Sequence, residues 1–273
     1  MAQDPSASDL RKLNKELTVA ILKYAVPIVW LAGDTVGGMD DKVNSGTTFF
    51  LDSGKKVFGV TAGHVYADHR DRANASGVLC QIGLGPRGRN KHIDLRERII
   101  THSAWPDIAT YEVSREEIDR TGAQVVKETA WPPASLKEGE AVVFTGFPGV
   151  DRRIEAPGLL SFEHFCGAAR VDNINAASIS CLRPDDAMPI ADLRFPAPYY
   201  DTRGMSGGPM FYVDRGPILS WHLVGVIGEG GGGKYEGEGG PLLDIVTAGR
   251  ADLINADGTI NEIPRGRRRD DPR

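Results

Sequence analysis

Apolar residues follow two rhythms along this chain. From residue 9 to residue 23 they recur as Leu10, Leu13, Leu17, Ala20 and Ile21. Steps of three and four lay such residues along one side of a helix, so an amphipathic N-terminal helix is predicted. Ser8 or Asp9 stands where its cap belongs. Pro27 then favours an extended chain, and Ile28-Val29-Trp30-Leu31 opens a different pattern. Short runs rich in Val, Ile and Phe alternate with Gly, Asp and Ser, the mark of strands and tight turns. Segments 47–51 and 56–61 read as a hairpin around Asp52-Ser53-Gly54. Segments 78–82, 93–99 and 108–113 complete a first half of about six strands. The polar stretch 116–129, punctuated by Trp131-Pro132-Pro133, reads as a crossover. A second half opens with the apolar run 141–147 and continues near 153–154, 159–165, 177–182, 209–213 and 219–227. Leu242, Ile245, Val246 and Leu253 fit helical spacing and predict a short C-terminal helix, although Gly249 interrupts it. Pro264-Arg265-Gly266-Arg267-Arg268-Arg269-Asp270-Asp271 predicts a solvated, disordered tail.

Composition agrees with a mostly β chain. Its 33 glycines and 17 prolines supply many turns, and a hydrophobic fraction of 41% is enough for a sizeable core. A length of 273 residues suits one large domain or two paired halves. The net charge of −5 argues against nucleic acid as a general partner. Three cysteines, Cys80, Cys166 and Cys181, are an odd number, so at least one stays unpaired within the chain. Buried, reduced thiols are expected, with a Cys166–Cys181 bridge left open. Arg11, Lys12 and Lys15 precede a largely apolar stretch, 17–33, in the manner of a signal peptide, but Lys23 and Pro27 interrupt it. It is also too short for an uninterrupted membrane span. A cytoplasmic location without membrane contact is the expectation.

Chemistry enters at Gly204-Met205-Ser206-Gly207-Gly208-Pro209, which sets a serine among glycines just before the apolar run 210–213. A nucleophilic serine needs N–H groups aimed at the oxyanion that its attack creates, and glycines permit the tight turn that aims them. Thr61-Ala62-Gly63-His64 closes another apolar run, and Asp107-Ile108-Ala109 follows Trp105-Pro106. The order His, Asp, Ser is one of the recurrent orders of a serine–histidine–aspartate triad.

These three segments resemble the trypsin-like (chymotrypsin-fold) serine peptidases, over roughly residues 25–250. The resemblance implies an all-β fold of two six-stranded antiparallel β-barrels, here with an N-terminal helix and a short C-terminal helix. The divisions become 1–24 (helical extension), 25–130 (first barrel), 131–255 (second barrel and C-terminal helix) and 256–273 (charged tail). It implies Ser206 as nucleophile, His64 as base and Asp107 as the group that orients the imidazole. The N–H groups of Gly204 and Ser206 would form the oxyanion hole. The substrate pocket would lie near Tyr200, Asp201, Glu229 and Gly230, and the substrate would be a protein or peptide. No cofactor is required, and a metal site is not expected: Asp68-His69 lacks a third ligand of suitable spacing. The missing clear signal peptide and the unpaired cysteines resemble bacterial intracellular members.

The chain also departs from the family pattern. Zymogen-type relatives carry an acid just before the serine, where it pairs with a newly made N-terminus. Met205 stands there instead, and no Ile-Val-Gly-Gly sequence is present. The site is therefore either built without cleavage or ordered by a partner. Asp201 is one position off the acid that selects Lys/Arg substrates, and Ile227 replaces the histidine of glutamate-specific members. Segment 228–240 is rich in glycine and reads as a surface loop or a flap. Among the other histidines, His69, His92, His102, His164 and His222, none shares the His64 frame. Asp94, the rival to Asp107, is flanked by Lys91-His92 and Arg96, as at a solvated edge. Two alternative functions use the same residues: an esterase with this triad, and a catalytically silent or partner-activated binding module. An α/β-hydrolase is disfavoured, because its serine precedes its histidine.

Overall fold

The computed structural model describes residues 16–31, 43–76, 80–82, 92–128, 130–132, 136–156, 159–182, 203–214, 220–230 and 245–263. Residues 16–22 are helical (α1), the described part of the predicted N-terminal helix. The strands of the first half are β1 (Ala25–Leu31), β2 (Val43–Asp52), β3 (Val57–Ala62), β4 (Cys80–Ile82), β5 (His92–Ile93), β6 (Ile99–Ser103), β7 (Ile108–Glu112) and β8 (Val125–Lys127). Two helices lie among them, α2 (Gly63–Ser76) and α3 (Arg115–Thr121). The second half holds β9 (Ala141–Gly146), β10 (Arg152–Ala156), β11 (Leu159–Phe162), β12 (Phe165–Ile174), β13 (Ser178–Leu182), β14 (Pro209–Asp214), β15 (Ser220–Gly230) and β16 (Ile245–Arg250).

The second half closes into a six-stranded barrel in the order β12-β13-β16-β15-β14-β9, and β10 and β11 pair as a separate ribbon. The first half departs from the predicted six strands. It is an eight-stranded sheet in the order β5-β4-β1-β2-β3-β7-β6, with β8 beside β2, and closure is not seen among the described residues. Of the two additional strands, one arises because the predicted segment 93–99 is divided between β5 and β6, and the other, β8, follows from the length of β2. Its first part, 43–49, pairs with β1, which leaves Phe50–Asp52 to take β8 in parallel. The predicted hairpin is present as β2 and β3, with the Gly54 N–H donating to the Asp52 carboxylate at 3.0 Å.

Strand β2 is buried on both faces, so its apolar run is nearly continuous rather than alternating. Phe49 and Leu51 enter a core that also holds Phe58, Phe211, Leu223 and Val226, and so spans both halves. Leu17 and Ile21 of α1 fill the same core, which explains the apolar stripe of that helix. On its other face Phe50 packs with Val26 and Ile118 of α3. Glu128 adds a polar tie between the halves: its carboxylate accepts the Leu223 N–H at 2.6 Å and lies 3.1 Å from His222 Nδ1. Among the described residues no helix is long and apolar enough to cross a membrane.

Among the described residues the predicted C-terminal helix is not formed. Residues 245–250 form β16, paired with β13 and β15, and a 3₁₀ turn, Ala251–Leu253, follows. Val246 and Ala248 point into the barrel core in steps of two, and Gly249 packs so closely on the first half that a Cβ would meet the Pro106 carbonyl at 2.1 Å. A short apolar run fits either period, and here barrel closure decides it. All three cysteines are buried and unbridged, and burial pushes the Cys166 and Cys181 thiols up to about 12. The division of 256–273 as a tail is too early: residues 256–263 are ordered, with Ile260 bridged to Ile254 and packed in the core, because an apolar residue there finds the barrel, and residues from Pro264 onward lie outside the described residues.

Helix α3 occupies part of the stretch read as a crossover. Ser114 and Glu117 cap it reciprocally, and Gly122 ends it with a φ of 72°. Burial favours the neutral acid at Glu117, but the Ser114 N–H and Oγ and the Arg98 guanidinium, at 2.8–3.0 Å, outweigh it and hold the carboxyl down to about 2. A carboxyl depressed by folding stabilises above its unfolded pKa, and that contribution is lost as pH falls toward the folded value. Glu117→Gln is expected to cost about 1–3 kcal/mol near neutral pH, and the gap from wild type should shrink between about pH 4.5 and about pH 2. Melting curves across that range check this; a gap independent of pH would refute it.

Candidate active site

Strand β3 ends at Ala62, and His64 sits in the first turn of α2 immediately beyond. Antiparallel pairing sets Ala62 opposite Ile108, which brings Asp107 to the same sheet end as His64. Asp107 Oδ1 accepts the His64 backbone N–H at 2.8 Å, and Oδ2 lies 2.8 Å from His64 Nδ1. An ionised carboxylate only accepts hydrogen bonds, so Nδ1 donates and the neutral ring keeps its lone pair on Nε2. The carboxylate thus fixes both the position of the residue and the tautomer of its ring. Asp107 itself has a φ of 64°, a left-handed conformation that aspartate tolerates better than most residues. The His64 side chain is 49% exposed and Asp107 22%. The imidazole is open to solvent while the carboxylate that holds it is sheltered. Part of that shelter comes from the second half, where a Cβ at Gly228 of β15 would stand 2.8 Å from Asp107 Oδ2.

Ser206 arrives from the second half on a loop held by both halves. Thr47 of β2 donates its N–H to the Ser206 carbonyl at 2.8 Å and its Oγ1 to the Gly204 carbonyl at 2.9 Å. The same Oγ1 accepts the Phe147 N–H at 3.0 Å. From β15, Ile227 accepts the Gly207 N–H and donates to the Gly208 carbonyl, at 2.6 and 2.8 Å. Gly207, with a φ of 91°, presses onto β2 and β3: a Cβ there would meet the Thr47 carbonyl at 2.0 Å and the Ala62 nitrogen at 2.9 Å. That contact lies two residues before His64. Gly46 lies between the Ser206 carbonyl and the side chain of Val65, the residue after His64. The loop bonds use the carbonyls of Gly204 and Ser206, and among the described residues the two N–H groups have no acceptor. Gly204 has a φ of 101° and backs onto the Phe147 carbonyl and the Gly149 nitrogen.

Met205 is 1% exposed and packs with Val142, Phe144, Met210 and Ile227 in the barrel core. The loop is therefore anchored from below by an apolar side chain. Ile227 belongs to that core rather than to an open wall. Of the predicted pocket residues, Tyr200 and Asp201 lie outside the described residues, and Glu229 and Gly230 end the backbone of β15.

No family model and no curated protein matches this chain. Solved structures do resemble it. A thermostable serine protease, AL20, from an extremophilic microorganism is 12% identical over 84% of this chain and 91% of its own, with a TM-score of 0.45. The serine protease domain of the Sesbania mosaic virus polyprotein is 13% identical over 84% of this chain and 90% of its own, with a TM-score of 0.41.

The remaining candidates have other employment. His69 is fully buried with its ring against Trp30, His102 packs on Tyr66, and His164 on Phe147. Asp94 is a mostly buried cap whose carboxylate binds the Arg96 guanidinium, not a solvated edge residue. Among the described residues no group of three or more His, Cys, Asp or Glu side chains is placed to hold a metal ion. Thr47 is the contributor that motif reading missed. It is one threonine in a buried strand, and only the fold reveals that it holds the serine loop.

Proposed function

We propose that this chain is a serine endopeptidase with His64, Asp107 and Ser206 as its triad. The observation that carries this reading is the pair of hydrogen bonds between Asp107 and His64, together with the seating of the Ser206 loop on the strand end that carries His64. Nε2 of His64 takes the Ser206 hydroxyl proton as Oγ attacks the substrate carbonyl. The N–H groups of Gly204 and Ser206 receive the oxyanion, a contribution typically worth about 2.7–4 kcal/mol per donor. Asp107 stabilises the imidazolium, which returns the proton to the leaving amine. Water then takes the same route to release the acyl group. The two halves of the cleft each supply part of this set, so catalysis depends on their packing.

Met205 supports a loop formed without N-terminal processing. Burying such a side chain is worth about 1.5–3 kcal/mol, comparable to a partly buried ion pair after desolvation. Trimming before Ala25 would also remove Leu17 and Ile21 from the shared core, so it would weaken the fold rather than activate it.

The test compares peptide and ester panels with the full-length chain, verified by mass. Turnover of internal peptide bonds, rising as the imidazole loses its proton, is the expected result. Ester turnover without peptide cleavage would give the esterase reading instead. No turnover of either would favour a binding module.

A further inference from the structure

Two peptide planes carry the N–H groups of the oxyanion hole, and each is held by its carbonyl. In a trans peptide the carbonyl and the N–H point in opposite directions, so a bond to the carbonyl fixes where the N–H aims. The Ser206 N–H belongs to the Met205–Ser206 peptide, whose carbonyl accepts the Gly208 N–H at 2.9 Å. That donor is set within the serine loop itself. The Gly204 N–H belongs to the Arg203–Gly204 peptide, whose carbonyl accepts the Gly149 N–H at 2.6 Å. Gly149 opens the 3₁₀ turn Gly149–Asp151 after β9, so this donor is set from another part of the chain.

Gly204 needs such a hold. It has a φ of 101° and no side chain to resist rotation of its backbone. It lies close against the turn, where a Cβ would meet the Phe147 carbonyl and the Gly149 nitrogen, each at 2.7 Å. On the far side of its Cα, the Gly204 carbonyl accepts Thr47 Oγ1 at 2.9 Å. The same hydroxyl accepts the Phe147 N–H at 3.0 Å, and Thr47 is fully buried. Both peptides flanking Gly204 are therefore held, one by Gly149 and one by Thr47, and both holds lead back to residues 147–149.

We propose that Gly149 and Thr47 are positioning residues that keep the Gly204 N–H aimed into the oxyanion hole. The inference rests on the peptidase reading. Neither residue touches the substrate carbonyl; each acts through Gly204. The Ser206 donor has its own local bond and stays in place without them. Neither bond involves His64 or Asp107, so the base is untouched. Losing either hold weakens one donor, which lowers transition-state stabilisation and leaves ground-state binding as it was.

The test measures peptide hydrolysis by full-length variants, with rates divided by the active sites that a fluorophosphonate titrates at completion. Gly149→Pro removes an N–H at a place that suits proline, the first position of a 3₁₀ turn after a residue with a ψ of 135°. A ring carbon then stands where the N–H was, and the Arg203 carbonyl must turn away. Its kcat per active site should fall about 100-fold or more, the loss typical of one oxyanion donor, with KM within about threefold of wild type. Thr47→Val keeps the volume and the N–H to the Ser206 carbonyl but lacks the hydroxyl. It should lose about 10-fold or more in kcat, and Thr47→Ser should recover most of that. A peptide trifluoromethyl ketone, whose adduct with Ser206 places an oxyanion in the hole, should lose affinity in step with kcat/KM. The midpoint of the pH profile should match wild type.

Unchanged kcat per active site in Gly149→Pro and Thr47→Val, even with fewer active sites, would make both residues purely structural and overturn the proposal. A loss in only one of them overturns the assignment of the other. A shifted pH midpoint, a loss carried by KM alone, or a folded variant that never labels would also overturn it, since each means more than one donor was disturbed. In all these outcomes an active wild type leaves the peptidase reading standing. A wild-type chain that cleaves neither peptide nor ester overturns that reading and this role with it.

Discussion

Ser206→Ala is expected to lower peptide hydrolysis by on the order of 10⁶-fold, the scale of loss when a serine-protease nucleophile is removed. Only the residual effect of binding and the oxyanion donors should remain. The fold should survive. Thr47 and Ile227 hold the loop through backbone carbonyls and N–H groups, none of which belongs to the Ser206 side chain. Melting should therefore stay within about 1 kcal/mol of wild type. Loss of activity with an unchanged melt identifies a nucleophile; loss of both would mean that Ser206 serves the fold instead. Wild-type turnover by the alanine variant would overturn the assignment outright.

Gly207→Ala is expected to damage both stability and catalysis. At a φ of 91° an added Cβ is already strained, and it would meet the Thr47 carbonyl at 2.0 Å and Thr61 Oγ1 at 2.3 Å. Neither is the far end of a flexible chain: the first is backbone, and the second is bonded to that carbonyl at 2.7 Å. The loop must lift from β2. Backbone strain of about 1–3 kcal/mol combines with the overlap, so a total loss above about 4 kcal/mol is expected. Under conditions where the variant stays folded, displacing the serine by about 1 Å should cost about 100-fold in rate. Gly54→Ala is the control. It has a φ of 82° but nothing within 4 Å, so it should lose about 1–2 kcal/mol and keep its activity. If Gly207→Ala melted and turned over like Gly54→Ala, the loop would not be seated as described.

The contrast between these glycines shows what the sequence can and cannot reveal. Both sit in obvious turns, yet only the packed structure says which one faces another backbone. His64, Asp107 and Ser206 are legible because each closes or precedes an apolar run inside a short recognisable frame. Their mutual placement requires the β3–β7 register, which depends on pairing across the sheet. Strand β16 reads as a helix because Leu242, Ile245, Val246 and Leu253 satisfy a helical spacing. The alternation of Val246 and Ala248 is too short to outweigh it. Helix α3 carries a readable signal in Ser114 and Glu117, three residues apart, but the surrounding polarity masks it. Helix α2 shows no comparable signal; its residues are largely polar and carry no clear apolar stripe.

Covalent trapping by a fluorophosphonate tests the triad most directly, because it needs a nucleophilic serine and a working base but no knowledge of the substrate. The intact chain should gain one adduct mass, and peptide mapping should place it on Ser206. Ser206→Ala should gain none, and His64→Ala should label far more slowly. An adduct on another residue, or an unmodified wild-type chain with a native melting curve, would contradict the assignment of Ser206 as an activated nucleophile.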